Sequence, residues 1–456
     1  MTLNASRRAF LQRASALSMA GAAAPFALNL AAMGEAAAST ATDYKALVCV
    51  FLYGGNDYAN TLVNYDQPGY DFYSAARGTL AYARTALGGT ALAPAVALPD
   101  GRQYALAPEL LPLKTYFDDG RMASLLNVGT LKGPTSKADF LAGKNLPPKL
   151  FSHNDQQSVW QSSAAEGATS GWGGLMGDVF EAGNGNATFT CVNVSGNAVF
   201  LSGNSAVQYQ VSPGGAAQLN ALKNPLFGSR ACSEALYSMV TASRTHLFEA
   251  EHTRVMTRSI SAGDELRAKL LSPVFDPPFN TDNGLAAQLQ MVARMIASAD
   301  QLQAKRQVFF VSMGGFDTHD GLQDTHPGLL SAVAEALSTF QEALADLKVE
   351  QQVTTFTASD FGRTLVCNND GSDHGWGNMH FVLGGAVKGQ RFYGAAPSLV
   401  KDGDDDVGQG RLLPSTSVDQ MAATLGKWFG LSDSELLTVL PNLGAWDAGK
   451  RNLGFV

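Results

Sequence analysis

Six stretches of strand length are near-continuous runs of apolar and β-branched residues: Lys45–Tyr53 (KALVCVFLY), Met122–Val128, Thr188–Val194, Val308–Ser312, Val353–Thr357 and Met379–Leu383. Strands that are apolar on both faces lie between two covering layers, the habit of parallel sheets. Helical periodicity fills the intervals at Pro108–Phe117, Trp172–Glu181, Arg230–Ile260, Leu285–Leu302, Leu329–Leu347 and Val418–Phe429. Thr169-Ser170 can cap the second of these. In the third, Leu236, Val240, Leu247 and Val255 share one face, with Arg and Glu opposite. Strands alternating with helices predict an α/β sandwich around a mostly parallel sheet. No internal repeat and no long Pro- or Ser-rich linker divides the chain, which reads as one large domain over 39–456. The Gly/Ser/Asn-rich segment Ser195–Gly215 leads toward a helical or cap insert at about 195–280.

The amino-terminal pattern differs. Ser6-Arg7-Arg8-Ala9-Phe10-Leu11 precedes an alanine-rich, mildly apolar stretch from Ala14 to Ala32, interrupted by Pro25 and followed by Ala36-Ala37-Ala38. Paired arginines, a weak apolar region and a small-residue cleavage site read as a twin-arginine export signal at 1–38. The expected partner is the twin-arginine translocase, and the expected location is periplasmic or extracellular. After cleavage no stable transmembrane segment is expected. Losing three Arg and one Glu moves the net charge from −8 to −10.

The 45% apolar content excludes disorder as the main state. With 40 acidic residues against 32 basic ones, a nucleic-acid partner is disfavoured. Cys49, Cys191, Cys232 and Cys367 are widely spaced without a C-x-x-C, which disfavours a zinc knuckle. In an oxidising compartment four cysteines can pair in three ways. Cys49, inside an apolar run, reads as a buried thiol.

In open α/β sheets ligands gather beyond the carboxyl ends of the strands. The segments there are Gly54-Gly55-Asn56-Asp57, Gly314-Gly315-Phe316-Asp317-Thr318-His319-Asp320 and Asp360-Phe361-Gly362-Arg363. Gly371-Ser372-Asp373-His374-Gly375-Trp376-Gly377 precedes the last strand. Carboxylates and imidazoles are ligands for divalent metals, and glycine lets backbone approach closely. Asp57, Asp317, His319, Asp360 and His374 are therefore the expected metal ligands. Arg363 could hold a phosphate or sulfate through its fork of donors. Phe151-Ser152-His153-Asn154-Asp155 opens another helix. There Ser152 is either an N-cap or a nucleophile facing an anionic substrate, and His153 joins it as a catalytic candidate. The G-x-S-x-G, G-x-G-x-x-G and Walker signatures are absent. Asp402-Gly403-Asp404-Asp405-Asp406 reads as a solvated acidic turn, since a calcium loop would need a glutamate where Leu413 stands.

These segments, together with FLYGGNDYANTLV, FSHNDQQSVWQS, VSMGGFDTHDG, ASDFGRT and DHGWGNMHFVLGGAVKGQRFYG, resemble a bacterial family labelled domain of unknown function 1501. That family is grouped with alkaline phosphatases and sulfatases. The resemblance implies a three-layer α/β/α sandwich of alkaline phosphatase type. It also implies one or two divalent ions (Zn, Mn or Ca) and cleavage or transfer of a phosphate or sulfate ester. Asp317, His319 and His374 match one metal site. Asp360 lacks the usual following histidine, because Phe361 stands there, and glycines replace the acid that normally ends the first strand. On these grounds a one-metal site, or a site that has lost catalysis, fits as well as a two-metal one. Two functions are implied: a metal-dependent hydrolase or transferase acting on an anionic small-molecule, glycan or lipid ester, or a non-catalytic periplasmic binding or structural protein on the same fold.

Overall fold

The computed structural model describes residues 43–216 and 220–456. The leader read at 1–38 lies outside the described residues. In chain order the strands are β1 (Lys45–Leu52), β2 (Leu62–Asn64), β3 (Tyr104–Leu106), β4 (Met122–Gly129), β5 (Cys191–Asn193), β6 (Tyr209–Gln210), β7 (Arg306–Met313), β8 (Val353–Ser359), β9 (Arg363–Cys367), β10 (Ser372–His374), β11 (Asn378–Leu383), β12 (Arg391–Tyr393) and β13 (Thr416–Ser417). Nine of them form one sheet in the order β12-β4-β11-β8-β1-β7-β5-β6, with β13 also pairing β4. Every pairing in it is parallel except those of β11, which runs antiparallel to both β4 and β8.

Two-sided burial is visible residue by residue. Val48, Val50 and Leu52 of β1 join one core cluster, with Phe309 and Val311 of β7 and the helices Leu111–Asp118, Gly284–Ala297 and Leu322–Asp346. Leu47, Cys49 and Phe51 join another, with Val308 and Phe310 and the helices Trp172–Phe180, Val418–Phe429 and Asp433–Val439. The sheet is thus the middle of three layers, as α/β packing requires. All four cysteines are free thiols, and Cys49 is buried as expected. Among the described residues no helix is long and apolar enough to cross a membrane.

The structure revises several boundaries. The run at Thr188–Val194 is strand only at Cys191–Asn193, because Asn186 accepts a hydrogen bond from the Thr188 amide and winds Ala187–Phe189 into a 3-10 turn. Arg230–Ile260 divides into Arg230–Thr241 and Leu247–Lys269, and the Thr253 hydroxyl donates to the Ala242 carbonyl across the break. The helix at Trp172–Phe180 is preceded by Gly171 and not capped by Ser170. The helix read from Leu329 begins at Leu322 and includes Pro327.

One polar link ties the loop after β1 to the small β9–β10 pair. Arg77, at the end of the helix Gln67–Arg77, donates to both carboxylate oxygens of Asp57 (2.8 and 2.6 Å) and to the Thr364 carbonyl (3.2 Å). Both side chains of the ion pair are fully buried. Removing one partner strands the other charge without solvent. Arg77→Met is therefore expected to lower unfolding free energy by about 3–5 kcal/mol. Adding Asp57→Asn to Arg77→Met should cost less than the two single losses combined, as measured by denaturant unfolding.

Candidate metal centre

The parallel register sets the site. Leu52 at the end of β1 is level with Met313 of β7 and Ser359 of β8, so the three following loops leave the sheet side by side. The reversed strand β11 starts with Asn378 opposite Val128, near the end of β4. Its antiparallel course therefore delivers the preceding segment 371–377 to the same edge. Glycine permits the loops to touch. Gly54 has φ 115°, and a Cβ there would lie 2.3 Å from the Asp317 amide nitrogen. A Cβ on Gly371 would lie 2.2 Å from the His319 carbonyl carbon. Any other residue at either position would push a site loop away.

Three imidazoles converge on the Asp317 carboxylate. His319 Nε2 lies 3.2 Å and His374 Nε2 3.3 Å from Oδ1, and the two nitrogens are 2.8 Å apart. His153 Nε2 lies 3.3 Å from Oδ2. Ligand atoms of His153, Asp317 and His374 all fall within 4.8 Å of one another. Each ring is held through its other nitrogen. His153 Nδ1 is 2.6 Å from Asp360 Oδ2, His374 Nδ1 is 2.7 Å from the Phe151 carbonyl, and His319 Nδ1 is 3.2 Å from Asp373 Oδ1. A carbonyl can only accept, so the His374 proton sits on Nδ1. The carboxylates assign the same tautomer to the other two rings. All three Nε2 lone pairs then face Asp317. His153 Nε2 is buried with no hydrogen-bond partner.

That donor set fits a divalent ion. Carboxylate oxygen and neutral imidazole nitrogen are its natural ligands, and each imidazole carries the outer acceptor that metal-bound histidines usually have. Metal–nitrogen bonds of about 2.0–2.1 Å in a tetrahedron place ligand atoms ~3.3 Å apart, close to the observed spacing around Asp317.

Buried groups support the exposed ones. The side chains of Asp360 and Arg363 are inaccessible, whereas Asp317 and His319 are each 44% exposed. Asp360 also accepts from Gln157 Nε2 at 2.8 Å and from the Gly54 amide at 3.3 Å. Arg363 Nη1 donates to Asp317 Oδ1 at 2.5 Å and to the Gly54 carbonyl at 3.1 Å, and its Nη2 donates to the Ser372 carbonyl. Phe151 adopts a left-handed backbone, φ 72°, which costs about 1–3 kcal/mol and accompanies the turn of its carbonyl toward His374.

Charge follows from these contacts. Burial acts to raise the Asp317 carboxyl, but the hydrogen bond and charge of Arg363, with His153 and His319, hold it below the usual carboxylate value. The hydrogen bond to Asp360 raises His153 above the ordinary imidazole value despite partial burial. Burial lowers His374, helped by the nearby positive charges of His153 and Arg363.

The expected residues separate into groups. Asp317, His319, His374 and His153 come together, and Asp360 and Arg363 stand directly behind them. Asp57 lies apart. Its two oxygens are taken by Arg77, the Asn60 amide and the Ser372 hydroxyl. Ser152 precedes the helix His153–Ser162, but its hydroxyl makes no cap and donates to Asp155 Oδ2 at 2.8 Å. Asp406 is not solvated as the acidic turn suggested. It is buried, and its carboxylate accepts from the amides of Asp402, Gly408 and Gly410. Gln157, Asp373 and Arg77 were missed. Asp373 is adjacent to His374 in sequence, and Gln157 lies one helical turn beyond His153. Arg77 carries no local signal.

A family model described as "Protein of unknown function (DUF1501)" matches residues 44–442, and the chain belongs to that family. Among solved structures, Ps i-CgsB in complex with k-i-k-neocarrahexaose is similar over 90% of this chain and 77% of its own, at 10% identity and a TM-score of 0.36. The PsFucS1 sulfatase from Pseudoalteromonas sp. is similar over 89% and 71%, at 8% identity and a TM-score of 0.35. The lipoteichoic acid synthase LtaP from Listeria monocytogenes is similar over 86% and 74%, at 10% identity and a TM-score of 0.33. No curated protein matches the chain.

The raised His153 value gives a pH signature. Its pairing with Asp360 adds stability that is complete below the unfolded imidazole value of about 6.5 and is lost as pH rises through the folded value. In metal-free protein, NMR titration should find His153 above and His374 below the ordinary imidazole range. Asp360→Asn should move His153 down and remove that segment of the pH–stability curve.

Proposed function

We propose that the chain is an exported metal-dependent hydrolase or transferase acting on a phosphate or sulfate ester. The observation that carries this reading is the convergence of three Nε2 lone pairs on one carboxylate. Asp317, His153, His319 and His374 would hold a single divalent ion, of zinc, manganese or calcium type. When bound, such an ion polarises an ester oxygen and eases ionisation of a water or hydroxyl. The protein's own groups do the positioning. Asp360, Asp373 and the Phe151 carbonyl fix the three rings, and Arg363 keeps Asp317 ionised while adding a fixed positive charge behind it. Ser152 lies between Phe151 and His153 in sequence. Its hydroxyl already donates to Asp155, so a base stands ready to take the proton if this oxygen attacks.

The substrate would be an anionic small-molecule, glycan or lipid ester met in the periplasm or outside the cell after twin-arginine export. The mature net charge of −10 opposes a free anion, so the cluster's local positive charge must attract it. One observation favours the alternative, a non-catalytic binding or structural protein. Arg363 donates to the same Asp317 oxygen that His319 and His374 approach, and so partly neutralises the cluster without an ion.

Assays on 4-nitrophenyl sulfate, 4-nitrophenyl phosphate and bis(4-nitrophenyl) phosphate distinguish the two readings. Turnover should depend on an added divalent ion, fall roughly 100-fold in Asp317→Asn and His374→Ala, and fall about 10–100-fold in Asp360→Asn. Loss in Ser152→Ala assigns the attack to that oxygen, and retention assigns it to water. Absence of turnover with every ion and ester, with the cellular role intact in Asp317→Asn, favours the binding protein.

A further inference from the structure

A cavity of about 450 Å³ lies between the helix Gln67–Arg77, β9 and the segment 398–412. Its buried lining includes Leu365, Leu399 and Leu412. Phe72 and Val400, also in the lining, are 46% and 43% exposed. The one carboxylate in the wall, Asp406, is buried and accepts from three backbone amides. Lys401 completes the lining and makes no ion pair among the described residues. Water in so apolar a space finds few hydrogen-bond partners, and an apolar ligand that displaces it is favoured.

We infer that this cavity binds a small amphipathic anion, its apolar body against Leu365, Leu399 and Leu412 and its acidic head at Lys401. The volume falls within the range of small-molecule pockets. The lining sets the polarity: an aliphatic floor, the Lys401 cation, and one carboxylate, Asp406, whose oxygens are turned to backbone amides. This site is separate from the metal cluster and does not rest on the reading given to it. The two are nevertheless neighbours, because Gly410 and Leu412 flank Arg411, whose Nε donates to the His374 carbonyl at 2.8 Å.

Decanoate, decanol and the fluorescent probe 1-anilinonaphthalene-8-sulfonate test it on the full chain. The probe should brighten saturably at one site per chain and be displaced by decanoate. Ala75→Trp, a substitution on the exposed side of the cavity wall, should weaken decanoate about tenfold or more by filling the space, with the circular dichroism spectrum unchanged. Lys401→Met should weaken decanoate roughly fivefold and leave decanol unaffected. The exposed Phe248, on the helix Leu247–Lys269, provides the control, and Phe248→Ser should change nothing. The inference is overturned if no saturable binding occurs, if Ala75→Trp and Lys401→Met bind decanoate like the parent, or if Phe248→Ser abolishes the signal.

Discussion

Two imidazole nitrogens 2.8 Å apart, each with its proton committed elsewhere, define the constraint around which the rest of the site is arranged. His319 and His374 turn lone pairs toward each other and toward Asp317, and His153 turns a third from the other side. Lone pairs so placed repel unless positive charge lies among them, as a proton on one ring or as a metal ion. Arg363 supplies part of that charge from behind, through its bond to the Asp317 carboxylate. A proton on one ring or a cation held in front would relieve the rest.

The fold serves that arrangement at a distance. Parallel β1, β7 and β8 end level, and the reversed β11 returns the His374 segment to the same edge. The β9–β10 pair carries Arg363, Asp373 and His374 together. It is anchored by Arg77 to Thr364 and by Ser372 to Asp57, well below the exposed surface. Asp57 thus shapes the site by holding a strand pair in place, a role that its position after β1 did not reveal.

Much of this was legible in the sequence because six of the nine strands of the main sheet are apolar on both sides, the habit of a mostly parallel sheet; the short β6, β12 and β13 carry too few residues to show it. The helix Val418–Phe429 was read to the residue, since the Ser417–Gln420 capping box and the following Gly430 mark both ends. The site loops were legible because Asp and His sit beside glycine at strand ends. What could not be read was which polar group meets which. Asp57 and Asp360 look alike in sequence, yet one pairs with Arg77, twenty residues away, and the other orients His153 from over two hundred residues away. The antiparallel sense of β11 was also hidden, because a strand's composition does not encode its direction when both faces are buried.

Metal analysis and calorimetry of protein purified without chelators test the central claim most directly. The geometry predicts one divalent ion per chain, bound with a rise in Tm. It also predicts loss of both the ion and the rise in Asp317→Ala and His374→Ala, and retention of both in Ser152→Ala. A parent protein that neither carries nor takes up zinc, manganese or calcium, and whose Tm is unmoved by any of them, would contradict it.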